Sequence, residues 1–303
     1  MLAPLASMMF PRGAFAPNER NGGVPEHRPL ILVTGGTGFV GRAVLSALAD
    51  AGAFVRAVVR PGAERKLDGV PGLEHIVETA DLFAETSEWW QDVCSGVQSV
   101  LHVAWYAEPG KYLQSPFNVD CLEGTLRLAK GAVAAGVSRF VGVGTCFEYD
   151  LSAGVLCVDT PLRPETPYAG AKAAAFLALS TYLPMAGVSF AWCRLFYLFG
   201  KGEDQRRLVP YLRSRLSAGE KVDLTSGDQI RDYLDVDDAG KMIAGIVMGD
   251  RTGVVNICSG VPVTVRQLAE SIADEFQRRD LLCFGTRPDN LTDPRCVVGR
   301  PNL

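Results

Sequence analysis

Histidine, long apolar runs and a surplus of either charge are scarce or missing in this sequence. The 303 residues include three histidines, and 30 lysines and arginines nearly balance 34 aspartates and glutamates, for a net charge of −4. A net charge this small predicts no basic surface for nucleic acid. No apolar run reaches the ~18 residues that a membrane-spanning helix needs, so no membrane partner is predicted either.

Clustered cysteines are also missing. The eight cysteines are scattered, and none of them forms a C-x-x-C pair. Zinc sites need cysteine and histidine at short, regular spacings, so the sequence predicts no metal site. Scattered cysteines in a chain of this length are typical of reduced thiols, and we expect a cytoplasmic protein. The 48% of hydrophobic residues is enough for a large core.

The first 28 residues differ in composition from the rest. They lack a charged start before an apolar stretch, which a signal peptide would have. Prolines recur through and just after this stretch, at positions 4, 11, 17, 25 and 29. We therefore expect residues 1–28 to be a disordered tail.

A glycine-rich segment at residues 34–41, T-G-G-T-G-F-V-G, follows the first apolar β-branched stretch and precedes a helical pattern. In that context G-x-G-x-x-G predicts a dinucleotide site, because the glycines let the backbone approach a pyrophosphate and the helix start offers it free N–H groups. The cofactor-binding residues expected here are Gly35, Gly36, Gly38, Phe39, Val40 and Gly41.

Strand-like and helical stretches alternate from residue 30 onward. This pattern predicts an α/β protein with a Rossmann-type doubly wound parallel sheet and right-handed crossovers. Near residue 200 the strand-like stretches between the helical ones become shorter. We therefore expect an NAD(P)-binding Rossmann domain over residues 29–198 and, over residues 199–303, mainly a smaller C-terminal α/β substrate-binding lobe with a soft boundary.

Arg60 ends the second predicted strand, where an acidic residue binds the ribose 2′-hydroxyl in NAD-dependent relatives of this fold. A guanidinium suits a 2′-phosphate instead, and Arg56 lies nearby in the sequence. The sequence therefore favours NADP over NAD. The alternative is that Arg60 is a solvated strand end.

Tyr168 and Lys172 lie four residues apart in an alanine-rich helical stretch, and so share one helix face. A nearby ammonium lowers the pKa of a phenol, which makes the pair a candidate general acid/base near neutral pH. Thr145 ends the preceding predicted strand, where a hydroxyl points into the ligand crevice of such sheets. We predict Thr145, Tyr168 and Lys172 as the catalytic residues.

With these motifs in this order, the chain resembles the extended short-chain dehydrogenase/reductases, the NAD-dependent epimerase/dehydratase family that acts on nucleotide sugars. Further markers lie at Asp81 with Leu82, residues 101–104, Asn118, Gly124 with Thr125, residues 194–196, Gly200 and residues 229–238.

The resemblance implies roles for the matched residues. Asp81 and Leu82 would bracket the adenine, Ala104 would contact the cofactor, and Lys172 would also hold the nicotinamide ribose. Thr145 would bind the sugar oxygen at the reacting carbon, and Arg231 would contact the diphosphate of the substrate. We expect His102 to be a packing residue beside the cofactor. The aspartates at positions 232, 237 and 238 are expected to cap the following helix.

Departures from the family pattern narrow the chemistry. Cys146 and Phe147 stand where the 4,6-dehydratases carry acidic residues, which argues against dehydration. Tyr197 stands where the family often has asparagine, which implies a changed sugar or phosphate contact. Trp105 and Tyr106 replace a small residue, and they either shape a sugar pocket by stacking or serve core packing. The predicted substrate-binding residues are Trp105, Tyr106, Thr145, Tyr197 and Arg231.

These features favour a reductase of an NDP-4-keto-6-deoxyhexose that acts at C4. A nucleotide-sugar 4-epimerase with retained NAD is the alternative, and a non-catalytic NADP-binding sensor is a third reading. The family also implies a homodimer that pairs helices at about 116–135 and 168–183. The same apolar stripes serve packing on the sheet, so the sequence leaves the dimer open.

Overall fold

The computed structural model describes residues 29–290 and 293–303. The tail predicted at residues 1–28 lies outside the described residues. No helix within those two ranges is long and apolar enough to cross a bilayer.

Strands and helices alternate along the first two thirds of this part of the chain. The strands are β1 (Leu30–Thr34), β2 (Phe54–Val59), β3 (Leu73–Glu78), β4 (Ser99–His102), β5 (Arg139–Thr145), β6 (Val155–Leu156), β7 (Ser189–Leu195), β8 (Tyr197–Phe199), β9 (Val222–Asp223), β10 (Ile230–Asp235), β11 (Gly253–Ile257), β12 (Pro262–Thr264), β13 (Leu282–Cys283) and β14 (Cys296–Gly299). The helices are α1 (Phe39–Asp50), α2 (Ser87–Val93), α3 (Phe117–Ala134), α4 (Pro167–Met185), α5 (Leu208–Ser217), α6 (Val236–Met248) and α7 (Val265–Phe276).

Seven parallel strands form the large sheet, in the order β3-β2-β1-β4-β5-β7-β11. The strand order reverses between β1 and β4, which opens a crevice at their carboxyl ends, as in the Rossmann fold. The predicted fold class is confirmed.

Helices cover both faces of this sheet. Apolar residues of α1 and α6 pack with the strands on one face, and those of α2, α3 and α4 pack on the other. A β-carbon added at Gly240 of α6 would lie 2.7 Å from the backbone of Ala43 in α1, so glycine there lets the two helices touch. Burial on both faces explains why a central strand such as β1 is a continuous apolar run, whereas the largely exposed edge strand β3 is not.

The small lobe is built around β10. This strand pairs with β8, β12 and β14, while β14 also pairs with β6. Helices α5 and α7 enclose a separate apolar core there. The α7 helix begins with a capping box, in which Thr264 and Gln267 bond each other's backbone N–H groups.

The predicted boundary at residue 198 does not coincide with the division into sheets. Helix α6 and strand β11 follow residue 199 but pack with the large sheet, since β11 pairs with β7 over five residues. The chain thus returns to the Rossmann sheet after entering the small lobe. The spacing of apolar residues predicts a strand but does not indicate which sheet the strand joins.

Two local expectations are wrong. Helix α4, expected to end near residue 183, continues through Pro184 to Met185, because a proline in the last turn removes only one helical donor. Asp232 does not cap a helix: its carboxylate accepts hydrogen bonds from the N–H groups of Ser259, Gly260 and Gly299. Asp237 and Asp238 do not cap α6 either: they lie in its first turn, and the N-cap is Asp235, which accepts from the N–H of Asp237.

Candidate active site

A cleft of about 1470 Å³ lies between the carboxyl ends of the large-sheet strands and the small lobe. It is lined by every predicted site residue except Gly36: Gly35, Gly38, Phe39, Val40, Gly41, Arg60, Asp81, Leu82, Ala104, Trp105, Tyr106, Thr145, Tyr168, Lys172, Tyr197 and Arg231. The fold therefore brings together residues that are up to 196 positions apart, from Gly35 to Arg231.

Three glycines of the loop leave no room for a β-carbon. Gly35 has a φ of +75°, and a β-carbon there would lie 2.7 Å from the N atom of Ala104. A β-carbon on Gly41 would overlap the carbonyl oxygen of Gly35. Gly36 is buried instead, and its missing side chain makes space for Leu45, 2.9 Å from where a β-carbon would lie.

The first turn of α1 fits an anion. Gly38 is the N-cap, no side chain caps the helix, and no acidic residue lies in its first turn. The free N–H groups and the positive end of the helix dipole face the cleft beside the loop. A pyrophosphate is the group that such a cradle accepts, so these residues fit a bound NAD or NADP.

Replacing Gly41 with alanine is expected to weaken dinucleotide binding by at least about tenfold, because the loop must move away from the phosphate position. Fluorescence of bound NADPH or NADH measures the change. Gly245→Ala in α6 is the matched control, since a β-carbon there meets nothing within 4 Å. Equal affinity in the Gly41 and Gly245 variants would contradict the proposed phosphate cradle.

The two arginines near the end of β2 have different environments. Arg56 donates to the carbonyls of Val93 at 2.6 Å and Ser95 at 2.8 Å, so it joins β2 to the end of α2. Arg60 is exposed and lines the cleft. A third guanidinium, Arg42 in α1, also lines the cleft and donates to the carbonyl of Gly202. Sequence reasoning missed Arg42, although it directly follows the last glycine of the motif.

His102 is a packing residue, as expected. Its ring is 1% exposed and hydrogen-bonds Thr34 at 2.8 Å and Thr125 at 2.9 Å. Burial, followed by the Lys172 charge, lowers the pKa of His102 to about 3, so the ring is neutral at pH 7. Among the residues that the structure describes, no group of three His, Cys, Asp or Glu side chains could hold a metal ion.

The three predicted catalytic residues meet at the end of β5. Thr145 ends that strand and caps the 3-10 turn Cys146–Glu148. Tyr168 lies in the first turn of α4, and its ring meets the ring of Tyr112 edge to face, with centroids 4.8 Å apart. Lys172, one turn further, is 2% exposed, and its Nζ donates to the carbonyl of Val143 at 2.5 Å.

The expected lowering of the Tyr168 pKa by Lys172 is wrong for this structure. Burial raises the pKa of Tyr168, and Tyr112 adds to the rise, while a hydrogen bond with the Thr145 side chain opposes it. The ammonium of Lys172 lies 3.8 Å from the centroid of the Trp105 ring and on the Val143 carbonyl. Burial lowers the pKa of Lys172 itself to about 7.

Trp105 both packs and lines the cleft. Its indole N–H donates to the side-chain oxygen of Asn118 at 2.8 Å, and its ring faces the Lys172 ammonium. Asn118 in turn donates to the carbonyl of Tyr112 at 2.7 Å. The two interpretations of Trp105, as a packing residue and as a wall of a sugar pocket, are therefore compatible. Tyr106 lies beside it in the cleft, with its hydroxyl donating to Glu108 at 3.2 Å.

The small-lobe side of the cleft combines aromatic rings with a buried arginine. Arg231 is 3% exposed and donates to the carboxylate of Asp293 at 2.7 Å. Its guanidinium lies 5.3 Å from the ring of Tyr197, which meets Phe147 edge to face. The Arg231 guanidinium is thus already paired with Asp293, a residue that sequence reasoning missed because it lies 62 positions away.

Two loops approach each other across the cleft. Arg206 lies 3.7 Å from Glu108, and Arg207 lies 5.7 Å from the centroid of the Tyr112 ring. Burial raises the pKa of Glu203, on the same loop as the two arginines, to about 7. Glu108, Tyr112, Glu203 and Arg207 line the cleft, and an exposed ion pair such as that of Arg206 with Glu108 contributes little stability.

Known proteins share this architecture. A model of the NAD dependent epimerase/dehydratase family matches residues 31–258. The chain is 25% identical over 271 residues to dTDP-6-deoxy-L-talose 4-dehydrogenase (NAD(+)) of Aggregatibacter actinomycetemcomitans. The alignment covers 89% of this chain and 98% of that protein.

Solved structures agree on the fold. UDP-N-acetylglucosamine 4-epimerase of Methanobrevibacter ruminantium M1, in complex with UDP-N-acetylmuramic acid, superimposes with a TM-score of 0.76 at 21% identity, covering 90% of each chain. The dTDP-glucose 4,6-dehydratase DesIV of Streptomyces venezuelae, with NAD and TYD bound, gives a TM-score of 0.75 at 24% identity, covering 90% of this chain and 88% of that one. With the family match extending from β1 to the residue after β11, the chain belongs to the NAD dependent epimerase/dehydratase family.

Proposed function

We propose that this chain is an NAD(P)-dependent oxidoreductase that reduces an NDP-4-keto-6-deoxyhexose at C4. One observation carries the proposal. Thr145, Tyr168 and Lys172 converge in a cleft that also contains a phosphate cradle, while the two positions after Thr145 hold a buried cysteine and Phe147 rather than acids. This set can protonate a carbonyl oxygen but has no acid at the positions where the dehydratases carry theirs.

In the proposed reaction, the hydroxyls of Thr145 and Tyr168 donate hydrogen bonds to the C4 carbonyl oxygen. When bound, NADPH or NADH supplies the hydride that C4 accepts. Negative charge then develops on the oxygen, and Tyr168 transfers its phenolic proton to it, which leaves an alcohol and a phenolate. A raised pKa keeps Tyr168 protonated at neutral pH, and a protonated phenol is the form that reduction requires.

The other residues hold the two ligands. The glycine loop and the start of α1 would bind the pyrophosphate, Asp81 and Leu82 would flank the adenine, and Lys172 would hold the nicotinamide ribose. On the substrate side Arg231 would contact the diphosphate. Trp105, Tyr106 and Tyr197 would enclose the sugar, because aromatic faces pack well against the apolar faces of a pyranose.

Arg60 is expected to select NADP. The change Arg60→Glu should weaken NADPH binding by about 10- to 100-fold and leave NADH binding within about twofold, since a charge-assisted bond to the 2′-phosphate contributes roughly 1.5–3 kcal/mol. Titration by nicotinamide fluorescence measures both affinities. Arg65→Glu, an exposed residue outside the cleft lining, is the control. An equal loss for both coenzymes, or none, would remove the argument for NADP.

A 4-epimerase is the second candidate. It would use the same residues but keep its NAD and return the hydride to the other face of the sugar. The hydrogen bond from Arg42 in α1 to the carbonyl of Gly202 lies beside the phosphate cradle and would hinder release of a bound cofactor. Denaturing the purified protein and measuring the released nicotinamide distinguishes the two: about one NAD per chain supports the epimerase, and an empty chain supports the reductase.

The reductase is tested by mixing the purified chain with NADPH or NADH and dTDP-4-keto-6-deoxyglucose. Loss of absorbance of the reduced coenzyme in proportion to the ketosugar supports the proposal. No consumption with either coenzyme would overturn this substrate and reaction, and UDP-sugars would then be tested for epimerisation.

A homodimer through α3 and α4 is also proposed. Val119 on α3 and Leu177 on α4 are each more than half exposed, whereas Leu128 and Leu179 of the same helices are buried against the sheet. The two helices thus leave apolar side chains on their outer face after the sheet is covered.

The change Leu177→Glu is expected to convert a dimer into a monomer, because it would place a charge in that apolar face. Light scattering after size exclusion measures the mass. Ser180→Glu tests the edge of the same face. A wild-type mass near 32.6 kDa would contradict the dimer.

A further inference from the structure

Glu148 is a fully buried carboxylate beneath the catalytic residues, with no part in the reaction described above. It lies in the turn after β5 and is 0% exposed. One carboxylate oxygen accepts a hydrogen bond from the backbone N–H of Thr145 at 2.8 Å, and the other accepts from Nε of Arg194 at 2.7 Å. The indole N–H of Trp192 donates to both oxygens, at 3.0 and 3.1 Å.

The surrounding chain makes room for this group. A β-carbon on Gly144 would overlap both Glu148 and the Trp192 indole nitrogen, so only glycine fits at that point of β5. The guanidinium of Arg194 is 1% exposed and lies between the rings of Tyr149 and Phe176, at 4.3 and 4.7 Å. A buried ion pair is seldom more stable than an apolar replacement of the same volume. The stability of the fold alone therefore does not explain why an ion pair occupies this position.

Glu148 and Lys172 are both neighbours of the Trp192 indole, which donates to the Glu148 carboxylate. Burial lowers the pKa of Lys172, and Glu148 is the largest influence that opposes the change, ahead of Cys121 on α3. Burial raises the pKa of the Cys121 thiol to about 11, and that of His102 on β4 is lowered to about 3, so both are neutral at pH 7. The uncharged ring of Trp192 lies 5.9 Å from the Lys172 ammonium. Glu148 thus supplies the negative charge among these neighbours.

We propose that Glu148 is a positioning residue of the catalytic set: its buried carboxylate fixes the backbone of Thr145 and keeps Lys172 in its ammonium form inside the fold. Lys172 donates to the Val143 carbonyl and lies over Trp105, and both contacts are stronger for the ammonium than for the neutral amine. The catalytic meaning of this role rests on the proposed function. The electrostatic role does not, and it is measurable without a substrate.

The test titrates Lys172 directly. The full chain, free of cofactor, is labelled with ¹³C at lysine Cε, and the seven lysine signals are followed by NMR between pH 5.5 and pH 9. Lys172→Met identifies the signal of interest. In the variant Glu148→Gln the midpoint of Lys172 is expected to fall by roughly one pH unit, the lower end of what an opposite charge contributes. Glu165→Gln, an exposed residue, should leave the midpoint unchanged.

A second variant guards against loss of folding. Glu148→Gln leaves Arg194 buried without its partner, which is strongly destabilising in other proteins. Glu148→Gln/Arg194→Gln removes both charges, and the Lys172 midpoint should still fall, because Glu148 rather than Arg194 acts on it.

An unchanged midpoint in either folded variant would overturn the proposal. If both variants unfold, Glu148 serves the stability of the fold alone, and the proposal is overturned as well. If the wild type reduces no ketosugar but the midpoint falls, the proposed function fails while the electrostatic role of Glu148 holds. In an active enzyme, Glu148→Gln should lower kcat more at pH 8 than at pH 6, since less Lys172 stays protonated at the higher pH.

Discussion

Replacing Tyr168 with phenylalanine is expected to lower kcat for the ketosugar by about 10³-fold, within the range that a general acid contributes. The affinity for NADPH should stay within about twofold. Phenylalanine keeps the ring that meets Tyr112 edge to face but removes the only proton that the proposed reaction takes from the protein. Steady-state kinetics and nicotinamide fluorescence measure the two quantities on the same preparation.

Tyr182→Phe is the matched control for this change. It makes the same substitution on the same helix, at a residue that does not line the cleft. Its kcat should equal that of the wild type. A Tyr168→Phe enzyme that retained more than a tenth of the wild-type kcat would show that another group protonates the sugar, and the assignment of Tyr168 would be wrong.

Replacing Lys172 with methionine is expected to abolish turnover and yet to stabilise the chain at neutral pH. Burial lowers the pKa of Lys172 from 10.5 to about 7. Between those two values the unfolded chain binds a proton that the folded chain releases, so unfolding becomes harder as the pH rises. The wild type therefore bears the full cost of the buried ammonium below pH 7 and progressively less of it towards pH 10. Methionine bears none.

The melting temperature of Lys172→Met should exceed that of the wild type by about 2 °C or more at pH 6.5, the shift that roughly 1 kcal/mol gives in a large domain. The difference should shrink steadily between pH 7 and pH 10. Lys130→Met, at an exposed residue of α3, is the control and should show no such trend. A Met variant that melts below the wild type at pH 6.5 would mean that the Val143 and Trp105 contacts outweigh the cost of burial.

Local patterns predicted much of the fold and the cleft. The apolar stretch that forms β1 and the glycines that follow it depend on neighbours in the sequence, and the structure places them as predicted. The pairing of Tyr168 with Lys172 on one helix face follows from the helical repeat alone. The order of the motifs along the chain indicates the family without any knowledge of contacts between distant residues.

Contacts between distant residues account for what the sequence could not predict. The partner of Glu148 is 46 positions away, and that of Arg231 is 62 positions away. Arg56 and Arg60 look equivalent in the sequence. Only the fold shows that the Arg56 guanidinium already donates hydrogen bonds to carbonyls at the end of α2. The pKa of Tyr168 was predicted in the wrong direction because burial, a property of the assembled cleft, exceeds the influence of one nearby charge.

The most direct test of the central claim follows the hydride. The wild-type chain is given dTDP-4-keto-6-deoxyglucose and NADPH that carries deuterium at both positions of nicotinamide C4, and the sugar product is analysed by mass spectrometry and NMR. We predict one deuterium in each product molecule, located at C4, and one oxidised coenzyme formed for each sugar reduced. A product without deuterium, or a sugar inverted at C4 with no net coenzyme oxidation, would contradict the reductase.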